Sequence, residues 1–238
     1  MIAVRDREGS STRLARLFSW AGALLFFSSL AYFLFAYVVT FGVIAREGRA
    51  LPAALWNIGA FSVFALHHSL FARPPVRRWV ARSFPVELER PFYVWVASVL
   101  FIAVCAFWRP VPGLAWQVEG VGRWALRLAQ AAGVVLTLRS AAILDIRELA
   151  GLKPAATDAG EFRTTGPYGW VRHPIYAGWF LLVFAVETMT LTRLTFAAVS
   201  CAYLLIAMPL EERSLRAASP AYGRYMAQVR WRLVPRIY

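Results

Sequence analysis

The sequence predicts an all-α fold, a polytopic integral-membrane helical bundle. It has five to six spans, a C-terminal helical hairpin and an interfacial amphipathic tail. Three observations carry this. The 238 residues are 59% apolar with mean hydropathy +0.53, whereas a soluble domain is nearer half apolar. Apolar runs of about 20 residues recur, the length that crosses roughly 30 Å of hydrocarbon. Arginines gather mainly between those runs. Residues 1–238 therefore read as a single membrane domain, with no room for a second soluble one.

Six candidate spans emerge at about 17–44, 52–72, 91–107, 121–144, 175–190 and 193–210. The first is too long for a signal-peptide core and lacks a small-residue cleavage site after it, so it reads as a retained span. The last two are separated only by Leu191 and Thr192, and a connection that short forces an antiparallel hairpin. The fifth run is short for a full crossing. The tail from Glu211 to Trp231 carries Leu215, Tyr222, Tyr225, Met226 and Val229 among arginines. It reads as an amphipathic segment at the interface, broken or kinked at Pro220.

The net charge of +13 would suggest nucleic acid on a soluble protein. Here arginines flank spans and set topology, so no nucleic-acid partner is expected. One side holds Arg5, Arg7, Arg13 and Arg16, then Arg73, Arg77, Arg78, Arg82 and Arg90. It also holds Arg147, Lys153, Arg163 and Arg172, and six arginines from Arg213 to Arg236. The other side holds Arg46, Arg49, Arg109, Arg123 and Arg193. That bias predicts that both termini and the 145–174 loop face the cytoplasm. Cys105 and Cys201 lie inside apolar runs, which argues against a disulfide framework or thiolate metal site.

Ionisable groups inside spans are costly and tend to face a cavity or the protein interior. His67 and His68 end the second run, Arg139 lies in the fourth and Glu187 in the fifth. The predicted topology brings His67, His68, Arg139, Arg172, His173 and the pair Glu211-Glu212 to the cytoplasmic end. Glu187 sits toward the hairpin tip, where solvent can reach it. The histidines also suit simple interfacial residues, and Arg139 can snorkel to headgroups. Adjacent helical histidines point about 100° apart and cannot easily share an ion. There is no H-x-x-x-H or H-E-x-x-H spacing, so no metal is expected. No G-x-G-x-x-G follows a strand and no G-x-x-x-x-G-K-[ST] is present, so the soluble nucleotide folds are excluded too.

The most informative stretch runs from Gly166 through Tyr168, Arg172-His173-Pro174 and Tyr176 to Gly178-Trp179. Glu211-Glu212, Ser214-Leu215, Tyr222, Tyr225 and Pro235 follow it. This combination resembles the isoprenylcysteine carboxyl methyltransferase superfamily. A second likeness runs through His68 to Arg73, Glu89 to Tyr93, Trp108-Arg109-Pro110 and Glu187 to Ala197. It is similar to the branch holding methanethiol S-methyltransferases and denitrification-associated membrane proteins. The chain departs from that branch at Leu144-Asp145-Ile146-Arg147, where an Asp-His pair is usual.

The resemblance implies an S-adenosylmethionine-dependent membrane methyltransferase with its cofactor region over 160–238, at the cytoplasmic face. Carried over by motif, the cofactor contacts are Tyr168, Arg172, His173, Pro174, Ile175, Tyr176, Glu211 and Glu212, with Gly160 to Arg163 as a poorly matched further stretch. Donors near Arg172-His173 suit the cofactor's carboxylate, and Glu211 suits its ribose or amino group. The aromatics Tyr168, Trp170, Tyr176 and Trp179 suit adenine or the sulfonium, with an interfacial aromatic belt as the alternative. The acceptor is a small or lipophilic molecule arriving from the lipid, with a thiol favoured over a prenylcysteine carboxylate. A thiol must lose its proton to react, and His67, His68 or Arg139 is the catalytic candidate for assisting that loss. Two other readings stay open: a membrane reductase of sterol-reductase type, and a non-catalytic transport or accessory protein.

Overall fold

A computed structural model describes residues 2–71, 73, 76, 79, 82, 85–153 and 165–238, without the side chains of 2–12, 86 and 87. The last residue of the predicted second span, Arg77, Arg78 and the stretch Gly160 to Arg163 lie outside the described residues. Besides a single turn at Ile146–Leu149, the helices are α1 (Ile2–Phe35, continued by a π turn Ala36–Thr40), α2 (Ala50–Phe71), α3 (Val86–Ala106) and α4 (Gly120–Ile143). They continue with α5 (Pro174–Phe184), α6 (Leu191–Ala218) and α7 (Pro220–Gln228). Strands β1 (Leu114–Gln117) and β2 (Thr188–Thr190) pair antiparallel.

Among the described residues, five helices are long and apolar enough to span a bilayer: Arg13–Thr40, Ala50–Phe71, Leu88–Ala106, Gly120–Ile143 and Leu191–Ala218. The chain is a multi-pass integral membrane protein. The fifth predicted run is helical only over Pro174–Phe184, 11 residues. At about 1.5 Å per residue that is roughly half a crossing. Its connection to α6 is also longer than the sequence suggests. Residues 185–190 leave the helix, and Thr188–Thr190 pair with β1. Hydropathy does not separate an apolar extended segment from an apolar helix, so the two merge into one run in the sequence. α6 runs eight residues beyond the predicted span end. The break falls at Ser219, with Pro220 opening α7 at a position where its missing N–H costs nothing.

The chain folds as two compact units. The first comprises Met1–Ala36, Ala60–Phe107 and Ile146–Ala155. Here α1 lies along α3. Phe18 stacks on Trp95 with centroids 5.4 Å apart, and the Trp95 indole N–H donates to the Phe18 carbonyl at 3.0 Å. Phe33 and Phe64 close on Phe101. Arg90 Nε donates to the Glu148 carbonyl at 3.1 Å.

The second unit comprises Tyr37–Gly59, Trp108–Asp145 and Ala156–Tyr238. Its apolar centre is the ring cluster Tyr37, Phe41, Trp108 and Phe196. A π turn leaves carbonyls poorly served by the helical ladder. Arg193 supplies donors to the carbonyls of Tyr37 (2.9 Å), Val38 (2.7 Å) and Thr188 (2.6 Å), and the Tyr37 hydroxyl donates to the Val183 carbonyl. Asn57 exchanges two 2.8 Å hydrogen bonds with the Arg109 backbone. An intramembrane arginine and asparagine are thus paired with backbone. Glu187, expected at a solvated tip, forms a two-pronged exposed pair with Arg127 at 2.6 and 2.8 Å.

α4 and α5 cross through glycines. A Cβ on Gly178 would overlap Thr137 Oγ1 and lie 2.7 Å from the Gly133 carbonyl, and one on Gly133 would lie 2.7 Å from the Gly178 carbonyl. Small residues at such crossings let backbones approach closely in membranes. This contact aims α5, and with it the motif that begins the helix.

Candidate active site

The sequence around Gly166 is built to turn and then start a helix abruptly. Gly166 has φ +60 and opens a 3-10 turn, Gly166–Gly169. A side chain there would be strained, and its Cβ would meet Ile143 at 3.2 Å. Pro174 takes the first position of α5. Proline there costs no hydrogen bond and keeps the preceding residue out of helical conformation. His173 accordingly sits at φ −123, ψ 61, off the helix axis, with its ring turned toward α6.

The carboxylates of α6 meet that motif. Glu212, 3% exposed, accepts from Arg172 Nε at 2.7 Å, Arg232 Nε at 3.0 Å and Arg232 Nη2 at 2.9 Å. His173 Nε2 lies 3.2 Å from the same carboxylate. Arg172 also donates from Nη1 to the carbonyls of Val229 and Arg230, at 2.9 and 2.5 Å. The backbone N–H groups of Arg172 and His173 donate to the carbonyls of Trp231 and Arg232. A guanidinium has five N–H donors, and Arg172 commits three of them to holding the C-terminal return against α5 and α6.

Glu211 differs from its neighbour because the next helical position points about 100° away. It is 45% exposed and accepts from the Tyr176 hydroxyl at 2.9 Å, with His173 Nδ1 3.9 Å off. Its Oε1 takes no hydrogen bond from the described residues, which leaves an acceptor on a half-exposed carboxylate. His173 and Tyr176 stack with centroids 5.2 Å apart and planes 5° apart. Tyr168 is buried, and its carbonyl accepts from the Tyr225 hydroxyl at 2.9 Å. Pro174 is buried, Ile175 is half-buried and Trp170 is 69% exposed. Burial pushes the Tyr225 phenol up to about 12. Burial raises Tyr168 and Tyr222 as well, helped at Tyr222 by the charges of Glu212 and Glu211.

Thus Tyr168, Arg172, His173, Pro174, Ile175, Tyr176, Glu211 and Glu212 lie in one unit, and Arg172, His173, Tyr176, Glu211 and Glu212 form one connected cluster. Arg139, also in that unit, is exposed on α4 and bonds to none of the described residues. His67 and His68 belong to the other unit. His67 lies against Phe71 and Tyr93, with Nε2 buried and without a hydrogen bond among the described residues, while His68 rests on Phe64 and Tyr93. Sequence reasoning missed Arg232 and the carbonyls of Val229 to Arg232. The only signal for them is a basic residue just past an amphipathic segment, which does not predict where the chain returns. Asp145, just past the C-cap of α4, has φ +46, a left-handed position that Asp tolerates better than most residues, and Ile146 follows it where the resemblance implies a histidine.

The family model described as isoprenylcysteine carboxyl methyltransferase (ICMT) family matches residues 131–217. Methanethiol S-methyltransferase 2 of Bradyrhizobium diazoefficiens is 35% identical over 194 residues, 78% of this chain and 74% of that protein. Methanethiol S-methyltransferase of Crocosphaera subtropica is 34% identical over 188 residues, 75% and 74% of the two chains. Nurim of Sus scrofa is 29% identical over 189 residues, 72% and 71%. No solved structure matches. The protein is an integral-membrane methyltransferase. It belongs to the isoprenylcysteine carboxyl methyltransferase family, in the branch that holds the methanethiol S-methyltransferases.

Proposed function

We propose that the protein transfers a methyl group from S-adenosylmethionine to a small or lipophilic thiol that reaches it from the bilayer. The observation that carries the donor assignment is the outward Glu211 carboxylate, fixed by Tyr176 and set beside the His173–Tyr176 stack. An acceptor of fixed direction next to aromatic surface fits a cationic nucleoside ligand: the carboxylate takes ribose or ammonium N–H and O–H groups, and ring faces attract a sulfonium. Bound there, the donor supplies an electrophilic methyl on positively charged sulfur. Tyr168, His173, Pro174, Ile175, Tyr176 and Glu211 contact it. Arg172 and Glu212 position them, since their polar atoms are largely spent on each other and on the C-terminal return. The backbone N–H groups of Arg172 and His173 are spent likewise, so the donor's carboxylate draws on other groups.

The names of the methanethiol-methylating relatives support a thiol acceptor over a prenylcysteine carboxylate. His67 or His68 assists deprotonation. Arg139 serves as the alternative cation. The basic-residue bias supports cytoplasmic termini and a cytoplasmic donor site.

Calorimetry of the purified protein with S-adenosylhomocysteine tests the donor; tight dinucleotide binding with no response to S-adenosylhomocysteine refutes it in favour of a reductase. Methyl transfer from labelled donor to methanethiol, longer alkyl thiols and an N-acetyl prenylcysteine tests the acceptor. Activity on the prenylcysteine alone rejects the thiol. With His67→Ala or His68→Ala, turnover falls mainly near neutral pH and recovers as the pH approaches the thiol's own pKa. An equal loss at every pH removes the base role.

A further inference from the structure

A second polar site lies on the opposite side of α6 from Glu211. Pro209, Glu212, Arg213 and Arg216 are spaced i, i+3, i+4 and i+7 and share one helix face. With Met226 and Arg232 they line a cavity of about 280 Å³. At about 100° per residue, Glu211 points roughly 150° away from the middle of that face. The cavity is therefore not the space that Glu211 and Tyr176 look into.

Its charge is unbalanced. Glu212 has both oxygens taken by Arg172 and Arg232, with His173 alongside. Arg213 and Arg216 are exposed, with no hydrogen bond or ion pair to the described residues. Arg232 also donates from Nη1 to the Tyr238 hydroxyl, at 3.0 Å. Three guanidinium groups thus face a single, already occupied carboxylate. The C-terminal end of α6 adds a partial negative charge of only about half an electron, screened within a turn. Guanidinium is donor-only and cannot satisfy another guanidinium, so the ligand that complements this face is an acceptor-rich anion. The planar fork matches phosphate geometry.

The depth is also informative. Just before the cavity α6 is apolar and outward-facing, with Ile206 66% and Leu210 37% exposed, and it turns basic at Arg213. Pro209 and Met226 give the cavity an apolar wall. That is the setting of a headgroup at the edge of the hydrocarbon.

We infer that this cavity binds a phosphate anion, presented by an anionic lipid headgroup or as free phosphate, independently of the methyl-donor site. The test uses the full chain purified into nanodiscs of phosphatidylcholine alone or mixed with phosphatidylglycerol. Native mass spectrometry reads lipid retention, and a thermal-shift titration with inorganic phosphate is run in neutral detergent. Wild type is expected to retain phosphatidylglycerol in preference to phosphatidylcholine. Arg213→Gln and Arg216→Gln should each weaken retention about fivefold, while Arg213→Lys with Arg216→Lys, which keeps the charge, should restore part of it. Saturable stabilisation by inorganic phosphate without lipid preference assigns the site to free phosphate, and lipid retention assigns it to a headgroup. Equal retention by wild type and both Gln variants, together with no phosphate response, overturns the inference. So does displacement of the lipid by S-adenosylhomocysteine with parallel loss of S-adenosylhomocysteine binding in the Gln variants, because the cavity would then belong to the methyl donor. A failure of S-adenosylhomocysteine to bind wild type at all bears on the donor proposal and leaves the lipid arms readable.

Discussion

Adjacent glutamates in α6 should fail in different ways, and Glu212→Gln is the sharper perturbation. The carboxylate is 3% exposed and receives two arginines, one of them through two nitrogens, at 2.7 to 3.0 Å. Glutamine keeps one acceptor oxygen but turns an NH2 donor toward guanidinium donors. Breaking a buried ion pair from one side costs about 3–5 kcal/mol, because a charge is left uncompensated. Arg232 is 28% exposed on its side chain and recovers part of this in water, which favours the lower end, about 3 kcal/mol. At about 2–4 °C per kcal/mol for a chain of this size, Tm falls by about 6–12 °C. Glu211→Gln removes a half-exposed carboxylate and should leave Tm nearly unchanged. Its loss appears as about 10- to 150-fold weaker S-adenosylhomocysteine binding, the equivalent of one charged hydrogen bond of about 1.5–3 kcal/mol. Thermal unfolding and calorimetry on both variants decide the matter. If Glu212→Gln keeps its Tm, the arginine cluster is not what holds the C-terminal return. If Glu211→Gln binds as wild type does, Glu211 is an interfacial charge and the donor site lies elsewhere.

Gly178→Ala should open the α4–α5 crossing, since its Cβ would overlap Thr137 Oγ1 and fall 2.7 Å from the Gly133 carbonyl. A loss of about 1–3 kcal/mol is expected in thermal unfolding, and an unchanged Tm would show that the helices can separate freely. Alkali should weaken the 165–238 region. Tyr225 is raised by burial from the ordinary 10 to about 12, so its stabilising contribution is complete below about pH 10 and is lost as pH rises through about 12. Tyrosinate absorbance and unfolding followed together over that window check this, and ionisation near pH 10 without unfolding would contradict it. Cysteine substitution at Arg46 and Tyr238 tests the proposed topology, with labelling from outside intact cells expected only at position 46.

The expectation of reagent access at Arg46 and not at Tyr238 rests on sequence alone, because span number and basic bias are one-dimensional properties. So are the helix starts at Pro174 and Pro220, where a ring without an N–H fits the first position at no cost. The meeting of Arg172-His173 with Glu211-Glu212 follows once two consecutive apolar runs are taken as antiparallel neighbours. Tertiary structure decided the rest. The segment 185–190 continues the apolar run in sequence, yet leaves the helix, and Thr188–Thr190 become a strand because β1 offers them backbone partners. That pairing lies more than 70 residues away in sequence and leaves no local mark. Which glutamate is buried depends on where Arg232 returns, and that return is held by backbone carbonyls, which every residue carries alike. Composition and spacing therefore determined that this chain crosses the membrane and gathers its polar groups at one helix mouth. Only the fold decided that Glu212 is buried among arginines while Glu211, one residue earlier and about 100° around the helix, is left half-exposed beside Tyr176.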